Sequence, residues 1–354
     1  MKQMRIVRMY DAGESITNSL YDAVLALPKP ITLTINQDFV PIEKNDIESP
    51  FREIKIAPPS RAMDIPKIES QRTRPLRFKA LAEAIEQSVY EYWNPNAFNL
   101  IFHSNGYDSR IMSYFIRKAY QERPGKILFV CFVPEYKNFV NIMKYEGWEP
   151  DQYAEYDSDW SDGIWDFDCI WQKVNGCSNI PWNKPMESLA YLRHKNLIPN
   201  DITTWGAVYC NETLGWKGTF NGFVDEYYYC RYSRMTQGYH VPCVQPLLNH
   251  RVLNVIFKAH PCKSHNQTRK ALLQYIDPDL DAIKKEVFDI NKHRRVPNPE
   301  FNELVRNYKQ SYYFKVFNPS SVPSPMILDQ NEWWGHLTMA SFVEHLINHG
   351  VKVQ

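Results

Sequence analysis

Three features of the sequence predict an α/β fold built on a parallel, doubly wound sheet. From Leu76 onward, short apolar runs alternate with segments whose apolar residues recur at helical spacing. The first apolar run ends in a small polar stretch, HSNGYDSR, where a helical pattern begins. The chain has 354 residues, 44% of them hydrophobic, enough for one large domain or two moderate ones.

Taken in order, residues 1–75 differ from the rest. They hold a predicted helix from Ser15 to Ala26, the alternating run ITLTINQDFV from Ile31 and an extended run REIKIAPP from Arg52. A Pro-, Arg- and Ser-rich stretch then leads to Pro75, which marks this part as a small appended segment with a linker. Its strand-like pieces can pair as a hairpin or join a sheet edge, and the sequence leaves both open.

The next elements carry the fold prediction. ALAEAIEQSVYEYW is helical by its apolar spacing, NLIF is a short buried strand, and SRIMSYFIRKAY is a helix. KILFVCFV is a second buried strand and EYKNFVNIMKYEGW another helix. Such β-α-β-α alternation predicts parallel strands joined by right-handed crossovers, with ligands beyond the carboxyl ends of the strands. HSNGYDSR sits at one of those ends.

Residues 157–185 are rich in Trp, Asp, Asn and Gly with little periodicity, which predicts a long ordered loop or lid whose Trp160, Trp165, Trp171 and Trp182 pack it. Helical patterns return from Met186, WKGTFNGF at 216–223 looks strand-like, and the remainder is mostly helical. The expected organisation is an appended segment at 1–75, an α/β domain at 76–300, and a helical extension at 301–354 packed on that domain.

Charge narrows the function. With 41 basic and 40 acidic residues the net charge is +1, so no global field would hold the chain on nucleic acid or an anionic membrane. The basic run Lys292, His293, Arg294 and Arg295 is a solvated loop or, less simply, a contact for a phosphate-bearing or nucleic-acid substrate. Seven cysteines, at 131, 169, 177, 210, 230, 243 and 262, are scattered with no CxxC pair, which predicts reduced thiols and a cytoplasmic setting. The expectation includes no membrane partner, because no apolar run reaches the roughly 18 residues of a spanning helix.

The polar stretch is where chemistry is expected. A helix start presents unpaired backbone N–H groups and a positive dipole end, and small residues let an anion approach them. Ser104, Asn105, Gly106 and Ser109 supply small donors there, Arg110 adds a positive charge, and Asp108 can hold a Mg²⁺ that bridges phosphates. The GK[ST] ending of a Walker loop is absent. On chemistry alone, Asp108 or Ser109 can equally serve to cap the helix.

The order of apolar strand, S-x-G-x-D-S-R and helix resembles the PP-loop of ATP pyrophosphatases, and more specifically the synthetase domain of the asparagine synthetase family. Three further segments follow in the family's order. GTFNGFVDEYYYCRY at 218–232 resembles its Gly-rich second signature, VQPLLNHRVLNVIFKAHP at 244–261 its "P-F-L-D" stretch, and HNQTRKALLQYIDPDLDAIKKEVF at 265–288 its closing basic helix and Lys-Glu segment.

The resemblance implies an α/β fold of the PP-loop ATP pyrophosphatase type and an ATP- and Mg²⁺-dependent ligase. A small-molecule carboxylate would attack the α-phosphorus, pyrophosphate would leave, and an amine or ammonia would displace AMP from the acyl-adenylate. By the same resemblance Asp108 and Asp225 match the metal-holding aspartates, with Glu226 beside them, and Lys285 matches the lysine that stabilises developing charge. Arg269 and Lys270 are candidates for pyrophosphate contacts.

The chain also departs from the family. Asn105 stands where Gly is usual, Gly222 where asparagine-forming members carry Glu, Asn249 in place of the Asp of "P-F-L-D", and Gln274 where a basic residue is common. Asparagine is therefore not the expected product. The chain begins Met1-Lys2 rather than Met-Cys, so the amine is expected to be free ammonia, ammonia from a separate subunit, or a second substrate. The rival expectations are a catalytically degenerate nucleotide-binding or interaction protein, and another PP-loop chemistry such as tRNA thiolation.

Overall fold

Buried strands and the helices that cover them form the centre of the molecule. The computed structural model describes residues 9–37, 49–62, 65–68, 74–132, 136–156, 189, 192–193, 195–206, 213–214, 219–229, 243–260, 265–284, 303, 306–307, 309–316 and 330–354. In chain order the elements used below are β1 (Tyr10–Asp11), β2 (Ile16–Thr17), α1 (Leu20–Leu25), β3 (Thr32–Leu33), β4 (Lys55–Ile56) and β5 (Arg74–Pro75). They continue as α2 (Phe78–Tyr92), β6 (Phe98–Phe102), α3 (Tyr107–Glu122), β7 (Lys126–Phe132), α4 (Tyr136–Glu146), β8 (Tyr153–Tyr156) and β9 (Thr203–Trp205). The last are α5 (Phe220–Tyr229), β10 (Cys243–Val244), α6 (His250–Phe257), β11 (Ala259–His260), α7 (His265–Ile276), α8 (Pro278–Ala282), α9 (Tyr312–Val316), α10 (Gln330–Asn348) and β12 (Lys352–Val353).

The central sheet has five strands in the order β10-β9-β6-β7-β8, every pair parallel. Numbered by chain order within the sheet, that is 3-2-1-4-5 read from β8, the doubly wound arrangement in which the strand order reverses between β6 and β9. The apolar runs are continuous because both faces are covered. Ile101, Ile127, Phe129 and Cys131 enter the larger core with α2, α3 and α4, whereas Leu100, Leu128 and Val130 enter a second cluster with Leu189, Leu192, Ile198 and Ile202. The alternation follows the two-residue period of a strand.

A buried polar clamp fixes the start of the sheet. Asn99 is fully buried, and its side-chain amide donates to the carbonyls of Asn94, Ala97 and Lys126 at 3.0, 3.0 and 3.2 Å. Its Oδ1 accepts from the Trp205 indole at 2.9 Å, tying β6, β7 and β9 together. Nearby, Gly125 lets two loops touch: a Cβ there would lie 2.6 Å from the Cα of Pro95.

A second core joins the two ends of the chain. Tyr10, Leu20, Val24, Leu33, Ile35, Phe51 and Ile54 pack with Tyr313, Leu337, Phe342, Val343, Leu346, Val351 and Val353. β1 pairs antiparallel with β2 and with β4, and β12 lies parallel to β3. The strand-like pieces of the first segment thus form small sheets of their own, outside the five-stranded one. The C-terminal helix α10 buries its apolar residues against this N-terminal segment.

Two elements differ from the sequence expectation. The first helix is short, Leu20–Leu25, because Ser19 caps it by accepting from the Asp22 N–H while Ile16–Thr17 is drawn into a strand with β1. The strand-like GTFNGF is helical from Phe220, with Phe220, Phe223, Val224 and Tyr228 forming a buried helical stripe and Thr219 Oγ1 accepting from the Gly222 N–H. Burial of that stripe outweighs the β-preference of its aromatics. The long loop of 157–185 with its tryptophans, and the basic run at 292–295, lie outside the described residues.

Candidate phosphate-binding site

The loop after β6 leaves the sheet beside the strand-order reversal. Ile101 pairs with Trp205, which brings Gly206 at the end of β9 level with Phe102. Gly206 and Gln245 line the same edge, and a Cβ on Gly206 would lie 3.0 Å from the Gln245 side-chain amide nitrogen. Open α/β sheets bind ligands in the crevice at such a point.

The loop folds on its own small residues. The Ser104 N–H donates to Ser109 Oγ at 3.0 Å, the two serine hydroxyls lie 3.1 Å apart, and the Gly106 N–H donates to Ser104 Oγ at 3.1 Å. Asn105 and Ser109 are buried. Helix α3 starts after Gly106, which has no side chain to cap it, so the positive end of the helix dipole lies at the loop. The turn is tight at Gly106, where a Cβ would lie 3.1 Å from Ser104 Oγ.

Asp108 stands in that first turn and meets a residue far away in sequence. Arg269, on α7, donates through one nitrogen, Nη1, to both Asp108 oxygens at 2.7 and 2.6 Å. Its other terminal nitrogen donates to Asn266, and among the described residues its Nε has no hydrogen-bond partner although Arg269 is only 8% exposed. Asp108 and Arg269 were both sequence candidates, and the packing of α7 across α3 brings them together. Lys270, the next candidate, is exposed on α7.

Arg110 does not join the loop. It is 1% exposed, and its Nη1 donates to the carbonyls of Leu280 and Ile283 at 2.9 and 2.7 Å, fastening the end of α8 to the first turn of α3. Helical geometry is the reason: Arg110 lies two residues after Asp108, about 200° around the helix, so the two side chains face opposite ways. Burial lowers its pKa from the ordinary arginine value.

Asp225 is exposed on α5, and among the described residues no hydrogen bond or ion pair joins it to Asp108. The side chain of Glu226 and the whole of Lys285 lie outside the described residues. Among the described residues no group of three or more His, Cys, Asp or Glu could hold a metal ion. Asn249 has a structural occupation: its Oδ1 accepts from the Arg251 N–H, capping α6, and its amide donates to Glu91 and Tyr92 Oη at 3.1 and 3.0 Å.

Sequence reasoning passed over His103, the first loop residue. It is 5% exposed, neither ring nitrogen has a hydrogen-bond partner among the described residues, and its ring lies 5.2 and 6.2 Å from those of Phe139 and Phe129. Burial, and then the positive charge of Arg110, pushes its pKa down to about 3. Strand parity was the available signal, because His103 follows Ile101 on the face covered by α3 and α4. Behind the loop, Glu146 accepts from Ser113 Oγ at 2.7 Å and the Trp148 indole at 2.9 Å, and burial pushes its pKa up to about 7.

No family model matches the sequence, and no curated protein matches it significantly. Among solved structures, a match is the U34-tRNA thiolase NcsA from Methanococcus maripaludis with its [4Fe-4S] cluster, at 14% identity over 58% of this chain and 76% of that one. The TM-score is 0.23, too low to add to what the sheet topology shows. No helix among the described residues is long and apolar enough to cross a membrane.

Proposed function

We propose that the chain is an ATP-dependent, AMP-forming ligase whose PP-loop is the Ser104–Ser109 turn. The observation that carries this reading is the meeting of an uncapped helix start, Asp108 and a buried arginine at the reversal point of a parallel sheet. Polyphosphate fits that set: the positive helix end favours an anion, the Arg269 Nε, unpartnered among the described residues, is a donor, and Asp108 is a hard oxygen ligand. A Mg²⁺ held by Asp108, with Asp225 as the second candidate, would neutralise phosphate charge.

In this reading the protein positions and stabilises more than it reacts. The loop and Arg269 hold the β- and γ-phosphates, so that a substrate carboxylate oxygen meets the α-phosphorus in line. The P–O bond between the α-phosphorus and the bridging oxygen breaks, and the electron pair leaves with pyrophosphate. An amine or ammonia then attacks the acyl carbon and AMP departs, with Lys285 opposing the charge that develops. Arg110 contributes by holding Ile283, two residues before Lys285, against the loop helix.

Calorimetry on the native chain and Asp108→Ala tests the site. Native protein is expected to bind ATP in the presence of Mg²⁺, and the variant to lose the Mg²⁺-dependent part of that affinity, at least tenfold. Absence of binding by folded native protein would sink the proposal. A second reading keeps the nucleotide and drops the catalysis; the structural use of Asn249 and the helical setting of Gly222 favour it. Pyrophosphate release with screened carboxylates and amines separates the two, and its dependence on tRNA would point to thiolation instead.

A further inference from the structure

The Asp108–Arg269 pair sets a condition on how this site fills, if the loop holds nucleotide phosphates as proposed above. Arg269 spends Nη1 on both oxygens of Asp108, the carboxylate a divalent cation needs. The pair is mostly buried, with side chains 10% and 20% exposed. A cation taking Asp108 alone would leave a buried guanidinium without its counter-charge, and a polyphosphate taking Arg269 alone would leave a carboxylate facing an anion. Uncompensated buried charge is among the costliest arrangements a protein can hold. Filling both halves together keeps every charge opposed, since cation replaces guanidinium on Asp108 and phosphate replaces carboxylate on Arg269. The Nε, unpartnered among the described residues, gives Arg269 a donor to offer in that exchange.

We infer that the Asp108–Arg269 ion pair is a displaceable latch that makes divalent cation and nucleotide polyphosphate bind as a coupled pair and weakens the binding of either alone. Linkage then requires each ligand to raise the other's affinity by the same factor. The two halves of the latch also predict opposite gains. Asp108→Asn frees Arg269 and should tighten binding of metal-free polyphosphate, while Arg269→Gln frees Asp108 and should tighten binding of the bare cation. A pair that merely braced α3 against α7 would yield losses in both variants.

The test uses the full chain, Mn²⁺ alone followed by loss of its free-ion paramagnetic resonance signal, and α,β-methylene-ATP, whose α–β bridge cannot be cleaved. Native protein is expected to bind the Mn²⁺–analogue complex at least a hundredfold more tightly than metal-free analogue in EDTA, a ratio that by linkage compares Mn²⁺ affinity on the protein with Mn²⁺ affinity for the free analogue. Arg269→Gln should bind Mn²⁺ alone at least tenfold more tightly than native, and Asp108→Asn should bind metal-free analogue at least tenfold more tightly. Independent binding of the two ligands to native protein overturns the latch while leaving the nucleotide site standing. No binding of the Mn²⁺–analogue complex removes the nucleotide reading and the latch with it. Because coupling is measured on native protein, a variant that fails to fold does not protect the inference.

Discussion

At the scale of single residues, two buried titratable groups near the loop pull stability in opposite directions with pH. His103 has a folded pKa of about 3, below its unfolded value of 6.5, so the folded state binds fewer protons. Its contribution is present above the unfolded value and is lost as pH falls from there toward 3. Glu146 behaves conversely: its folded pKa of about 7 exceeds the ordinary 4.5, so stability is fullest below 4.5 and declines as pH rises toward 7. His336, also buried and pushed down to about 4, adds to the acid loss. Urea unfolding of His103→Leu should show a flatter decline between pH 6.5 and 4 than the native chain. Glu146→Gln, whose amide can still serve Ser113 and Trp148, should gain up to about 3 kcal/mol at pH 8 relative to its effect at pH 4. A decline unchanged in either variant would remove that residue from the account.

At the scale of elements, the parallel sheet was legible and its reversal point was not. NLIF and KILFVCF announce themselves as two-sided strands because apolar residues fill both parities, and the structure sends Leu100 and Ile101 into different clusters. Leu100→Ala should therefore cost about 2–5 kcal/mol in urea unfolding, the range for a fully buried leucine without room to collapse. A loss below about 1 kcal/mol would contradict that packing. Helix α5 was hidden because Gly222 and its aromatics match strand composition, and only the burial of Phe220, Phe223, Val224 and Tyr228 on one stripe declares the helix. At the loop the sequence supplied Ser104, Gly106, Asp108 and Ser109 in order. Whether Asp108 and Arg110 shared a role was a question of helical phase, and α3 places them on opposite sides.

At the scale of the whole molecule, the ends of the chain form one unit around a core separate from that of the sheet. Contact between the units includes the buried Tyr228, whose hydroxyl donates to the Ala57 carbonyl at 2.7 Å and accepts from the Met9 N–H at 3.1 Å. Leu346→Ala, in the C-terminal helix, should speed hydrogen exchange at Leu33 and Ile35, whose strand region pairs with β12 and packs in the same core. Exchange in β6 and β7 should change by less than threefold. Equal acceleration in both units would show that they open as one.

The sequence by itself determined what neighbouring residues decide: the strands and helices from 78 to 146, their α/β order, and the small-residue turn at a strand end. Those follow from periodicity, backbone sterics and helix termini, which act over a few residues. Tertiary structure alone decided the rest. It set the strand order that puts the turn at a reversal, joined Asp108 to Arg269 across 161 positions, sent Arg110 to Leu280, and closed the two ends of the chain on one core. Such pairings depend on which apolar faces can be buried together, and local sequence does not encode that choice.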